Sequence, residues 1–291
     1  MQLIRPVLLI AACLALPWQP GAAAPLQPKP SDPFFEKFTP VAAPAPGRLL
    51  LKAGDRLAIC GDSITEQKMY SMEEHNLHLC ALRNVDVEIA RRERVRFADI
   101  FWPMFVAGFN ARQLYGPEYA IAGKDGVHPG WAGQRLMAQS HLQAMGFSGD
   151  VGTLTVNLKT QRAKASKGHS FDRAANSEFT FTSRRYPYCA TGDDNQDSSI
   201  RSGMTLLAFN RHLNRLILKA KGGSAANYRL TWGSESRVYS AAQLAEGVNL
   251  ADDFAVNPFS EAFKRVDEAV ESKMRTAGSR EVKPRPARGV A

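Results

Sequence analysis

Arg56-Leu57-Ala58-Ile59-Cys60-Gly61-Asp62-Ser63-Ile64-Thr65-Glu66 is the stretch on which the fold turns. The short apolar run ended by Gly61 reads as a buried strand that delivers the chain into a turn. Ser63 then stands past the strand end and at the start of a helix. There its hydroxyl is presented at the sheet edge, and backbone N–H groups with the positive end of the helix dipole face any developing oxyanion. Ser63 with Glu66 three residues on also has the form of a capping box, which any helix can use. These residues taken alone leave both readings open.

Downstream, Leu79, Leu82, Val85, Ile89 and Ala90 recur at helical spacing, Val95 to Phe101 reads as a strand, and Phe105 to Leu114 as a helix. Pro129 to Met145 predicts a further helix, stopped by Gly146. Helices alternating with short strands indicate an α/β layer structure with a parallel sheet, whose sites lie at the carboxyl ends of the strands. Asp125-Gly126-Val127-His128-Pro129-Gly130 falls on the loop leading into the last of these helices. A serine hydroxyl is a weak nucleophile until a base takes its proton, and the base needs a partner to fix its tautomer. Ser63, Asp125 and His128 supply nucleophile, orienter and base. The plainer alternative makes Asp125-Gly126 a turn and His128 an exposed residue at a helix start.

Gly61-Asp62-Ser63-Ile64-Thr65-Glu66 and Asp125-Gly126-Val127-His128-Pro129 resemble the first and last blocks of the SGNH, or GDSL-like, hydrolase superfamily. The resemblance covers Leu49 to about Gly146. It implies a flavodoxin-like three-layer α/β/α domain, ester hydrolysis through an acyl-serine, no metal and no cofactor, and a backbone oxyanion donor at Ser63. The family's middle blocks, a glycine N–H donor and a Gly-x-Asn-Asp asparagine, are not found between Ser63 and Asp125. Asn76, Asn84 and Asn110 are the asparagines that stand there, none in that glycine context, and the side-chain oxyanion donor stays unassigned. Leu49 to Gly146 holds 98 residues. At ~30 residues per strand-helix-strand unit that is room for about three units, where the resemblance implies a fold of about five. The join near Tyr70, Ser71 and Met72 reads as the place where a central piece is missing, by internal deletion or an error in the gene model.

Outward to the N-terminus, Arg5, the apolar run Val7 to Leu16 and the small residues Gly21 to Ala24 read as a cleavable signal peptide over residues 1–24. Secretion or a periplasmic location follows; Ile10-Ala11-Ala12-Cys13 offers a lipoprotein alternative, weakened because the apolar run continues past Cys13. Residues 25–48, with seven prolines between Pro25 and Pro46, read as a linker. After the hydrolase region (49–148), period-two segments at Thr153 to Leu158, Glu178 to Thr182, Leu216 to Lys219 and Tyr228 to Trp232 predict a β-rich region over 149–257. Leu154, Val156, Leu216, Leu218 and Trp232 are expected to share a half-buried antiparallel sheet there. Phe259, Phe263, Val266 and Val270 share one face of a helix over 258–276, and 277–291 reads as a basic disordered tail.

The formal charge is +9, with 37 Lys and Arg against 28 Asp and Glu, part of the excess lying in the tail. That placement gives no reason to expect a nucleic-acid partner. The 44% hydrophobic content suits a globular chain, and no apolar stretch of the mature chain is long enough to span a bilayer. Without Cys13, the cysteines Cys60, Cys80 and Cys189 allow at most one internal disulfide. Glu74, His75 and His78 lack a third well-spaced metal ligand, and Asp193, Asp194, Asn195 and Asp197 lack the EF-hand glycine and glutamate, so both sets read as surface. Trp102, Trp131 and Trp232 read as core or pocket wall. The expectation is an exported hydrolase acting on a small-molecule or carbohydrate ester. The alternative is a catalytically impaired remnant whose β-rich region serves as an envelope-associated binding or structural module.

Overall fold

The computed structural model describes residues 26–50, 73–126, 128–190 and 192–281. The Arg56–Cys60 run, Ser63, the signal-peptide segment and the end of the basic tail lie outside the described residues. The chain forms two compact units, one drawn from Met1–Gly149 and Gly192–Leu213, the other from Asp150–Thr191 and Asn214–Ala291.

The described part of the first unit is helical: α1 (Glu73–Glu93), α2 (Phe101–Tyr115), α3 (Trp131–Ala144), α4 (Ile200–Leu206) and α5 (Phe209–Leu213). α2 is apolar nearly all round because both its sides are buried. Phe101, Trp102 and Val106 pack with Phe35, Phe38 and Cys80. Met104, Ala107 and Ala111 pack with Tyr119, Ile121, Ala132, Leu136 and Leu207. Small residues bring α3 and α4 together: a Cβ on Gly203 would stand 2.6 Å from the Ala132 carbonyl oxygen.

The proline-rich segment is not the bare linker that its composition suggests. Asp32 caps a 3-10 turn at Pro33–Phe35 by accepting from the Phe34 N–H at 2.9 Å. Phe35 and Phe38 are fully buried, each worth about 1.5–3 kcal/mol of apolar burial. Trp102 Nε1 donates to the Gln27 carbonyl at 2.8 Å. Arg83, buried on α1, reaches Asp99 Oδ2 at 2.6 Å and also donates to the Val41 carbonyl. Prolines remove N–H donors, but they do not stop aromatic neighbours from finding a core.

Val95–Phe101, expected as a strand, makes no ladder among the described residues, and Phe101 opens α2. Asp99 Oδ1 instead accepts from the Trp102 N–H at 3.2 Å, turning the chain into α2. Residues 200–213, placed by sequence inside the β-rich region, form α4 and α5 of the first unit. The cause is the Ser199 cap, which accepts from the Arg201 N–H, and the burial of Leu207 beside Leu136.

The second unit is built from β1 (Asp150–Asn157), β2 (Arg162–Ala165), β3 (His169–Ala175), β4 (Glu178–Ser183), β5 (Arg215–Lys221), β6 (Asn227–Trp232), β7 (Glu235–Ser240), α6 (Ala241–Glu246), β8 (Val248–Asn249), α7 (Leu250–Asp253) and α8 (Ser260–Glu281). One sheet has the order β2-β1-β5-β8, and β3-β4 and β6-β7 are separate two-stranded sheets. The architecture is therefore mixed α/β. β1 and β5 pair in parallel, with Leu154 beside Leu218 and Val156 beside Ala220, whereas sequence alternation suggested an antiparallel sheet. Alternation reports which face is buried and is silent on strand direction. Trp232 belongs to the β6-β7 sheet and meets Leu154, Leu216 and Phe254 in a shared core. Asn176 and Ser177, both at positive φ, close the β3-β4 hairpin.

Candidate active site

The loop between α2 and α3 carries Asp125 and His128, and its course follows from a few tight contacts. Tyr119, Ile121 and Ala122 are buried, which pins the loop's first half to the core. Asp197, just ahead of α4, accepts from the Ala120 N–H at 3.0 Å through its side chain and from the Ala132 N–H at 3.0 Å through its carbonyl. One residue thus clamps both ends of the loop. Gly123 (φ +87°) and Gly126 (φ +78°) take the left-handed turns in between. At Gly123 a Cβ would stand 2.2 Å from the His128 carbonyl oxygen, so the glycine also permits the loop to fold back on itself.

Within this frame the Asp125 carboxylate holds His128 twice. Oδ1 accepts from the His128 backbone N–H at 2.9 Å, and Oδ2 lies 2.6 Å from Nδ1 of the ring. The first bond fixes the backbone and the second fixes the imidazole, so ring orientation and Nδ1–H tautomer are set by one side chain. Both side chains face solvent, His128 at 68% and Asp125 at 42% exposure. Exposure leaves the ring accessible to a reacting group and makes the pair a weak contributor to stability. Trp131, the first residue of α3, is also exposed.

Ser63 and Cys60 lie outside the described residues. Of the asparagines considered as oxyanion donors, Asn84 is committed elsewhere: Oδ1 accepts from the Val41 N–H at 2.9 Å and Nδ2 donates to the Thr39 carbonyl at 3.0 Å. Asn76 is buried on α1, and Asn110 is half-buried on α2. Asp197 was legible only as one acid in a polar run; its clamp on a loop far back in the chain carries no local signal. His78 is exposed on α1, and Asp193 and Asp194 are exposed. No group of three or more His, Cys, Asp or Glu side chains able to hold a metal occurs among the described residues. Cys80 and Cys189 are free buried thiols, and burial pushes both thiol pKa values up. Trp102 is core and Trp232 nearly so.

No family model and no curated protein matches this chain. Among solved structures it is similar to a gut microbial diltiazem-metabolizing enzyme, at 24% identity and a TM-score of 0.49. The likeness covers 66% of this chain and 45% of that protein's length. A likeness of that degree bears neither on the fold family nor on the chemistry of this chain. Among the described residues, no helix is long and apolar enough to cross a membrane.

Proposed function

We propose that the chain is an exported SGNH-type serine ester hydrolase with a flavodoxin-like catalytic domain, acting on an acyl or acetyl ester of a small molecule or carbohydrate. The observation that carries this reading is the double hold of Asp125 on His128, at 2.9 Å on the backbone and 2.6 Å on Nδ1. With Nδ1 engaged, Nε2 is the nitrogen for general-base work. Ser63 Oγ attacks the ester carbonyl while its proton passes to Nε2. Asp125 stabilises the imidazolium, and the Ser63 backbone N–H donates to the oxyanion. Nε2–H then protonates the departing alcohol, and a water activated by the same nitrogen hydrolyses the acyl-serine.

The side-chain oxyanion donor remains unassigned, and with Asn84 spent on the Thr39 and Val41 backbone the site is expected to be slow. Loss of one such donor typically lowers turnover ~100 to 1,000-fold. Activated esters, whose leaving group departs easily, need this help least. Turnover of nitrophenyl acetate by the wild type is therefore compared with that of Ser63→Ala. Weak hydrolysis abolished by the substitution is expected. Equal rates would sink the proposal and favour the impaired-remnant reading, in which the second unit does the work.

A further inference from the structure

The outward face of the four-stranded sheet in the second unit gathers positive charge in a way that its separate strands do not disclose. The inner face carries Leu154, Val156, Leu216 and Ala220 into the core. Residues one step along each strand point the other way. The register places Lys164 of β2 beside Thr155 of β1, and Thr155 beside Lys219 of β5. The next row sets Arg162 beside Asn157, and Asn157 beside Lys221. Three strands thus build two parallel rows, each with a cation at both ends and a neutral polar residue between them. At about 4.8 Å between strands and about 3.3 Å per residue, the four cations mark out a rectangle of about 10 by 7 Å.

Arg162, Lys164 and Lys221 are exposed and Lys219 is half-exposed. None of the four is ion-paired among the described residues. The carboxylate carried by these three strands, Asp150, lies at the far end of β1 opposite Arg215. Like charges held this close across water repel one another only weakly, and an anionic ligand that spans both rows offsets that repulsion at all four positions at once.

We propose that this face binds an acidic polysaccharide, whose regularly spaced carboxylates or sulfates meet the cation rows and whose hydroxyls meet Thr155 and Asn157 Nδ2, the Asn157 Oδ1 already accepting from the Lys159 and Thr160 N–H groups. Among the described residues, the outward positions of β1, β2 and β5 carry no aromatic ring on which a nucleic-acid base could stack, and Ile217 is their one large aliphatic side chain, too little apolar surface to enter a lipid interface. The surface belongs to the second unit, and its assignment does not rest on the esterase reading.

The test uses the full chain at low ionic strength, with polygalacturonate and heparin as probes and amylose as the neutral control. The wild type binds both acidic glycans, more weakly as salt rises, and does not bind amylose. Lys164→Gln/Lys219→Gln and Arg162→Gln/Lys221→Gln each weaken binding about tenfold, since desolvated charge contacts are worth that much or more. Lys264→Gln/Arg265→Gln, which removes the same charge from exposed positions on α8, leaves binding within about twofold of wild type. Lys164→Arg/Lys219→Arg retains binding, which separates charge loss from misfolding. No binding of acidic glycans by the wild type, or equal losses in the sheet and α8 variants, overturns the proposal. So does tighter binding of a single-stranded oligonucleotide or of phosphatidylglycerol vesicles than of the glycans.

Discussion

Replacing Gly123 by alanine is the sharpest test of how the proposed catalytic loop works, because the substitution removes none of the proposed catalytic side chains. Two costs arise. Gly123 sits at φ +87°, a backbone that an L side chain adopts only at a penalty of about 1–2 kcal/mol. The new Cβ would also stand 2.2 Å from the His128 carbonyl oxygen and 2.7 Å from its carbon. Both are backbone atoms, so no rotamer change relieves the clash. Ordinary contact requires His128 to move by about 1 Å, and misplacing a catalytic group by that much costs about 100-fold in rate. The expected result is a fall of about 100-fold in kcat/KM for nitrophenyl acetate, with a stability loss of about 1–3 kcal/mol by thermal melting. Gly116 supplies the control: its φ of +103° carries a backbone penalty of its own, but nothing lies within 4 Å of its Cβ position. Gly116→Ala should lose stability and keep activity. If Gly123→Ala retains more than half of wild-type kcat/KM, or if both variants lose activity alike, the loop does not position the base as argued.

Asp125→Asn should reduce kcat by about 100 to 10,000-fold through the wrong imidazole tautomer, yet shift the melting temperature little because the pair is exposed; a large stability loss with activity retained would reverse its role. Phe35→Ala should cost about 3–5 kcal/mol in denaturant unfolding, since the ring is fully buried against Phe38, Phe105, Phe109 and Trp102; a loss under about 1 kcal/mol would restore the linker reading of that segment. Burial, then the bond it donates to Asp253, holds the Tyr239 hydroxyl well above the usual tyrosine range. A raised folded pKa contributes stability that is fully present below the unfolded value of about 10 and is lost as pH rises beyond it. Melting temperature should therefore fall above about pH 10, less steeply in Tyr239→Phe, and identical alkaline profiles for the two proteins would refute that assignment.

What the chain determines locally could be read from it directly. The period-two runs at Thr153, Glu178, Leu216 and Tyr228 are strands, and the helices around Phe105, Pro129 and Phe259 form within a few residues of their expected limits. The contact of Asp125 with His128 belongs to the same class, because three residues and one turn separate the partners. Periodicity encodes the faces that seek burial, and a short turn leaves its partners little choice of geometry.

Tertiary structure decided everything that depends on a distant partner. Phe35 and Phe38 look like linker residues until α1 and α2 surround them. Residues 200–213 lie between β-strands in sequence, yet their apolar side chains complete the helical unit. Strand direction in the β1-β5 pair and the clamp of Asp197 on the His128 loop left no local trace. The four cations of the outer sheet face are scattered in the sequence and meet only through strand register. In each case the stabilisation arises between segments whose separation the chain must close at an entropic cost, and which pairs repay that cost depends on the whole packed arrangement.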